Sequence, residues 1–279
     1  MATTTSATPI LRPEEVEELF IVPVLARSIA GRVCDITRTT APRLTVPRIT
    51  SVPSATWVGE LQEIPLSDAS FDEVTIIPSK VAGLVPVSSE LKEDSARDVL
   101  RLMGDRLVEH SAFKIDEALF TSQPSPAPAG IAGLAGVTTR TVADTAALLD
   151  EFVEITANAG DRGTRVAAWV VHPTIRTKLA QIKAMTEGLS YLLDSTDDDG
   201  NRTFEGAPIL SSSLLPADTV WAIPAGRIIL MVHPAEDADI TVSEHAMFTR
   251  DGWLVRSRLR AGFGCIDEGA LTKITVTAP

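Results

Sequence analysis

The sequence predicts an α+β protein in which one long helix and several separate strand groups build a body and a two-stranded ribbon projects from it. Three observations carry this. A β-rich stretch broken by prolines, residues 42–86, runs straight into a long helical pattern. A Pro/Ser/Gly linker, TSQPSPAPAGIAGLAG, follows the helix. Beyond the linker, helical and strand periods alternate before the chain closes on strands.

The bulk properties set the limits. A chain of 279 residues is long enough for one large domain or two ordinary ones, and 44% hydrophobic with 22% charged residues is a globular composition. The formal net charge of −12 argues against a tightly held nucleic acid, because a duplex is gripped by Lys and Arg neutralising phosphates. Cys34 and Cys265 have neither CxxC nor metal-ligand spacing and read as small core residues, a usage that suits a reducing compartment. The opening MATTTSATPILRPEEVEELF carries no basic leader or apolar h-region, so secretion is not expected. The longest apolar runs, LFIVPVLA and IILMV, are too short to span a bilayer.

Near the amino end, Pro13 with Glu14 and Glu15 reads as the first turn of a short helix, where a fixed φ and negative charge are favoured. Six of the eighteen prolines then fall between Pro42 and Pro86, among β-formers. Proline offers no N–H to a ladder, which predicts an extended hairpin and not a central strand. Its apolar residues, Ile49, Val52, Trp57, Leu61, Ile64 and Leu66, are spread over a ribbon too thin to enclose them. Each would gain about 1.5–3 kcal/mol only under a cover.

After SSELKEDS, with Asp94 or Ser95 as cap, Ala96, Val99, Leu100, Met103, Leu107, Ala112, Ile115 and Leu119 recur at helical spacing as far as about Phe120. The GIAGLAG of the linker reads as a flexible turn. DTAALLDEFVEITANAG predicts a helix capped by Asp144 and ended by Gly160, RVAAWVVHP a buried strand, and PTIRTKLAQIKAM a helix opening at Pro173. TFEGAPILSSSLLPADTVWAIPAGRIILMVHP predicts three short strands, and a hairpin turning at Arg250-Asp251-Gly252 closes the chain. In its second strand Arg256, Arg258 and Arg260 share one face, and Val255, Leu259 and Phe263 the other.

No catalytic signature appears. Walker A, HExxH and GxSxG are missing, and His110, His172, His233 and His245 have no triad or ligand spacing. His172 and His233 each precede a proline after an apolar strand and read as structural. In SYLLDSTDDDGNRTFEG, aligning Gly200 with the turn glycine of a calcium loop places Asp197 and Asp199 well. It also puts Ser195 and Gly206 where carboxylates are required, and the segment reads as a hairpin turn. No catalytic, cofactor-binding or metal-binding residue is therefore assigned, and no cofactor is expected.

The order of segments carries a resemblance. The hairpin feeding FDEVTIIPSKVAGLVPVSSELKEDS, the helix ending DEALF, PAGIAG, AAWVVHPTIRTKLAQIK, FEGAPILSSSLLP and VRSRLRAGFGCIDEGALTKI together resemble the tailed-phage major capsid proteins of the Hong Kong 97 type, over residues 10–279. The resemblance implies a Hong Kong 97-like capsid fold. Residues 1–42 would be the N-terminal arm and entry to the body, and 43–80 the extended loop lying over an adjacent subunit. Residues 81–135 and 238–279 would form the peripheral domain with its long spine helix, and 136–237 a mixed α/β axial domain.

It further implies a structural, non-enzymatic subunit of the icosahedral head of a tailed double-stranded DNA bacteriophage or prophage, self-assembling as hexamers and pentamers. The implied partners are a separate scaffolding protein, a portal and a decoration protein, with DNA enclosed but not specifically bound and no membrane. Assembly is expected in the host cytoplasm. The lysine-to-asparagine cross-link of the type member is not expected, since the hairpin has no Lys before Lys80 and Asn158 and Asn201 are the only asparagines.

Between Ile49 and Ser79 the hairpin carries Glu60, Glu63, Asp68, Asp72 and Glu73 and no Lys or Arg, whereas Arg250, Arg256, Arg258 and Arg260 cluster near the C-terminus. The expected inter-subunit contacts are therefore Ile49 and Trp57 for adhesion, and Glu60 or Glu63 against one of those arginines for register. Two alternatives remain at this point: an encapsulin-like nanocompartment shell, and, more distantly, a metal-dependent hydrolase built on Asp194, Asp197, Asp198 and Asp199.

Overall fold

The computed structural model describes residues 20–51, 55–63, 65–66, 70–182, 196–234 and 239–278; the expected helix start at Pro13 lies outside them. Two short helices come first, α1 (Val22–Arg27) and α2 (Ile29–Val33). Pro23 in the first turn suits α1, and Ser28 Oγ caps α2 by accepting from Gly31 N at 2.8 Å. Asp116, from the long helix, accepts from Ile29 N at 2.9 Å and Ala30 N at 2.8 Å, tying this segment to the body.

A ribbon follows strand β1 (Asp35–Arg38). Among the described residues β2 (Leu44–Ser51) and β3 (Ser70–Ile76) pair only with each other, antiparallel, in register Leu44↔Ile76 and Arg48↔Asp72. Pro47 is tolerated because neither strand has a second neighbour among the described strands. β4 (Ser79–Ser88) then enters a five-stranded sheet and leads without a loop into α3 (Ser89–Phe120). The helix starts earlier than expected, so Asp94 and Ser95 lie inside it; its 32 residues span about 48 Å. Leu107, Val108, Ala112, Ile115 and Leu119 form its buried stripe.

In that sheet, β12 (Gly252–Cys265) pairs with β4 along Gly252–Ala261, with β11 (Asp239–Met247) and, at its end, with β10 (Ile228–Val232), which pairs in parallel with β1. The β11–β12 hairpin turns where expected, with Asp251 at φ 44°. Val85, Val87, Val255 and Leu259 face α3, and Gly83 permits the approach: a Cβ there would lie 2.7 Å from Leu107 Cδ2.

The second sheet has six strands in the order β5 (Thr138–Asp144), β13 (Thr272–Ala278), β9 (Thr219–Pro224), β6 (Val166–Val171), β8 (Ala207–Ser211) and β7 (Thr203–Phe204). It packs with α4 (Ala147–Asp161) and α5 (Pro173–Gln181). Trp169 stacks on Phe152 at 3.9 Å, and Phe204 meets both rings edge-on. Asp144 Oδ1 accepts from Ala147 N at 2.9 Å from the end of β5, but the N-cap position is Ala146, not Asp144, and Gly160 lies within α4; Gly163, at φ 66°, turns the chain after it.

Two further expectations need correction. Four strands, counting two-residue β7, stand where three short ones were expected, and the GIAGLAG turn is not loose: Ile131 is buried, and a Cβ on Gly130 would lie 2.0 Å from the Ala118 carbonyl oxygen. The sheets also cut across the expected division at 136–237 and 238–279. β10 joins the sheet that carries α3, while β13 joins the other. The Ala225–Gly226 turn, with Gly226 at φ 69°, carries the chain from one sheet to the other, and Ile228–Val232 is buried throughout, so β10 must be interior. Cys34 and Cys265 are core residues as expected. Burial pushes the Cys265 thiol up to about 12 and raises Cys34 further.

Candidate assembly surfaces

The hairpin leaves the body at an anchored root. Ile76, buried, packs with Ile229 and Met231, and it enters the gap left by two glycines of β12: a Cβ on Gly264 would lie 2.5 Å from Ile76 Cδ1. Beyond the root nothing among the described residues covers the ribbon. Trp57 is 105% exposed, Leu61 103% and Leu66 101%, and Ile49 and Phe71 are also largely exposed. Val52, Ile64 and Asp68 lie outside the described residues.

The charges divide into used and unused. Arg48, one residue before the acidic stretch, hydrogen-bonds Asp72 at 2.5 Å, and this contact holds the Asp72 carboxyl below the usual carboxylate range. Asp72 is therefore engaged inside its own hairpin, a pairing the sequence window starting at Ile49 missed. Glu60 and Glu63 make no ion pair among the described residues.

The arginines divide as the two-residue period requires. Register places Arg256 beside Leu84, Arg258 beside Ala82 and Arg260 beside Lys80, all on the face turned away from α3, with Asp239 placed beside Arg258 on β11. Arg256 and Arg260 are exposed and Arg258 half-buried; Arg250 lies apart, at the β11–β12 turn. The structure brings neither glutamate to these arginines within one chain. Leu84, largely exposed, and Lys80 complete this face, although the sequence reading passed over them. Their signal was the parity of SKVAGLVPVS, in which Lys80, Ala82, Leu84 and Pro86 alternate with residues facing α3.

On the opposite side, Val85, Leu102, Met103, Leu107, His110 and Phe113 line an apolar groove of about 630 Å³ between β4 and α3. The acidic turn near Gly200 is occupied by the chain itself. Asp197 accepts from Asn201 N at 2.6 Å and Nδ2 at 3.1 Å, while Asp199 pairs with Arg32 at 2.9 Å. Asp194 and Ser195 lie outside the described residues. His172 accepts from Thr174 N at the start of α5, and His233 is buried.

An anchored arm with no cover among the described residues, a long helix and two sheets between which the chain passes more than once make the Hong Kong 97-like capsid fold. The chain belongs to the phage capsid family, whose profile matches residues 10–276. Among solved structures it is similar to Microbacterium phage Oxtober96, with TM-score 0.69 and 18% identity, covering 100% of this chain and 96% of that one. Gordonia phage Cozz gives 0.68 and 17%, covering 90% and 87%. The capsid of a native GTA particle gives 0.66 and 13%, covering 99% and 94%. Comparison with curated proteins finds no match. The protein is a structural, shell-forming capsid protein of the virion and not an enzyme.

Proposed function

We propose that this chain self-assembles as hexamers and pentamers into the icosahedral head of a tailed double-stranded DNA phage or prophage, in the host cytoplasm. A scaffolding protein directs assembly, a portal occupies one vertex and a decoration protein binds outside. DNA is enclosed without specific binding, in keeping with the net charge of −12. The carrying observation is the hairpin without a cover among the described residues: Trp57, Leu61 and Leu66 are fully exposed on a ribbon to which no third described strand pairs. In this reading Ile49 and Trp57 adhere to an adjacent copy. Glu60 and Glu63 set orientation against an arginine among Arg250, Arg256, Arg258 and Arg260 of that copy.

The second sheet with α4 and α5 corresponds to the axial part, and α3 with its sheet to the peripheral part. Negative-stain microscopy of the expressed protein tests the reading: closed shells are expected, and only monomers at high concentration would refute it. An encapsulin-like shell shares the fold, and the phage capsid family match favours the phage reading. Nucleic acid in native particles, read by absorbance, separates the two.

A further inference from the structure

We propose that Glu268 is the positioning residue that sets the angle at which the hairpin leaves the body, and that the loop carrying it, residues 266–271 between β12 and β13, couples that angle to the second sheet. The inference deepens the shell reading and rests on it. At the root Ile76 packs with Ile229 and Met231, and Ile266 of the loop lies against them. Apolar contact has no direction, so it holds the root down without aiming the ribbon. Arg48 supplies the oriented contact. Its Nε and Nη2 donate to Asp72 Oδ2 on the facing strand, at 2.8 and 2.5 Å, which leaves Nη1 to reach Glu268 Oε1 at 3.9 Å. The two side chains are 28% and 31% exposed, so solvent weakens this pair less than an open surface pair.

The other oxygen of Glu268 accepts from Gly136 N at 3.0 Å, and a Cβ on Gly136 would lie 2.4 Å from it, so the carboxylate fills the place of a missing side chain just before β5. Asp267, its chain neighbour, accepts from Arg162 Nη1 at 3.2 Å at the end of α4, and Arg162 lies across Gly269, where a Cβ would stand 2.9 Å from the guanidinium. Two consecutive acids thus tie one loop to the hairpin and to the second-sheet layer. The joint also has room and a spare donor. With Pro47 and Ile49 of the hairpin these groups line a cavity of about 760 Å³, and Arg227 lines it too, its Nε buried with no acceptor among the described residues. A buried donor without an acceptor destabilises the fold until an acceptor reaches it. Glu268 therefore has two partners open to it, Arg48 and Arg227, and the hairpin two angles, one for the flatter hexamer and one for the more curved pentamer.

Hydrogen exchange of the full chain, kept below its assembly concentration, reads the joint, and the diameters of the shells it forms read the consequence. Glu268→Gln keeps an acceptor for Gly136 N and removes the charge. It is expected to speed exchange at residues 44–51 and 70–76 about fivefold and to broaden the shell diameters, with the melting temperature unchanged. A merely structural glutamate would lower the melting temperature and leave the diameters alone. Arg162→Gln is expected to speed the same exchange, although Arg162 bonds to no hairpin residue among those described, because the loop transmits its loss. Raising salt from about 0.05 M to about 1 M should loosen the unaltered hairpin and act much less on Glu268→Gln, so the joint is judged even where the variant fails to fold. Exchange indifferent to both Glu268→Gln and salt would overturn the joint. Faster exchange with shells of normal, uniform diameter would overturn its control of curvature, and a response to Glu268→Gln without one to Arg162→Gln would overturn the coupling. Absence of shells from the unaltered chain would count against the shell reading itself, while the exchange rates would still decide whether Glu268 aims the hairpin.

Discussion

Gly264 and Asp116 show how single residues hold the movable parts of this chain to its body. A methyl group on Gly264 would meet Ile76 Cγ1 and Cδ1 at 2.5 Å, so the hairpin root must lift or the strand must shift. Gly264→Ala is expected to cost about 1–3 kcal/mol in urea unfolding. It should also open residues 44–76 to earlier proteolysis, and unchanged values for both would dismiss the anchor. Asp116 clamps α2 by accepting two backbone N–H groups while it is itself buried. Burial raises its carboxyl above the ordinary value, outweighing the hydrogen bonds from Ala30, Ile29 and Ser28 that lower it.

A folded value above the unfolded one means that protonation favours the folded chain. That contribution is fully present below the unfolded carboxylate value, about 3.9, and is lost as pH rises through the folded value. In Asp116→Asn one N–H loses its acceptor, which costs about 1–3 kcal/mol at acid pH. The gap to the unaltered protein should narrow as pH rises; a gap constant with pH would contradict this account.

At the scale of elements, the hairpin and the long helix do opposite things. α3 is stabilised within the chain by its buried stripe, while among the described residues the apolar side chains of the hairpin tip have no cover, the ribbon being held by its own ladder and the Arg48–Asp72 pair. Trp57→Ser/Leu61→Ser should therefore leave subunit stability within about 0.5 kcal/mol and still abolish particles. A large loss of subunit stability would mean that the tip is covered by its own chain. Both elements were legible in the sequence because they depend on local rules: proline confines strands to edges, and a three-to-four-residue apolar period makes a helix. The helix start was misread because SSEL has no obligatory stop, so β4 runs directly into α3. The destinations of β10 and β13 were not legible either. β10 is a short apolar run and β13 an alternating one, TKITVTA, but the sheet of each is decided by partners far away in sequence, and nothing in IILMV specifies β12 over β9. The outward sheet face was half visible: the arginine parity could be read from one strand, but Lys80 and Leu84 join it only through the β4–β12 register.

At the scale of the whole molecule, the chain is a folded body with a limb whose apolar surface faces solvent. The chain passes between its two sheets, from β9 to β10 and from β12 to β13, so the body can keep its shape while the limb awaits a neighbour. The groove of about 630 Å³ along α3 adds apolar surface on the other side, with Leu102 and Phe113 exposed at its walls. Light scattering of the purified chain across a concentration series, with negative-stain images of the same samples, tests the central claim most directly. Closed shells forming as concentration rises, with residues 44–76 becoming resistant to protease on assembly, is the predicted result. A compact monomer at every concentration, with its hairpin already protected, would contradict it.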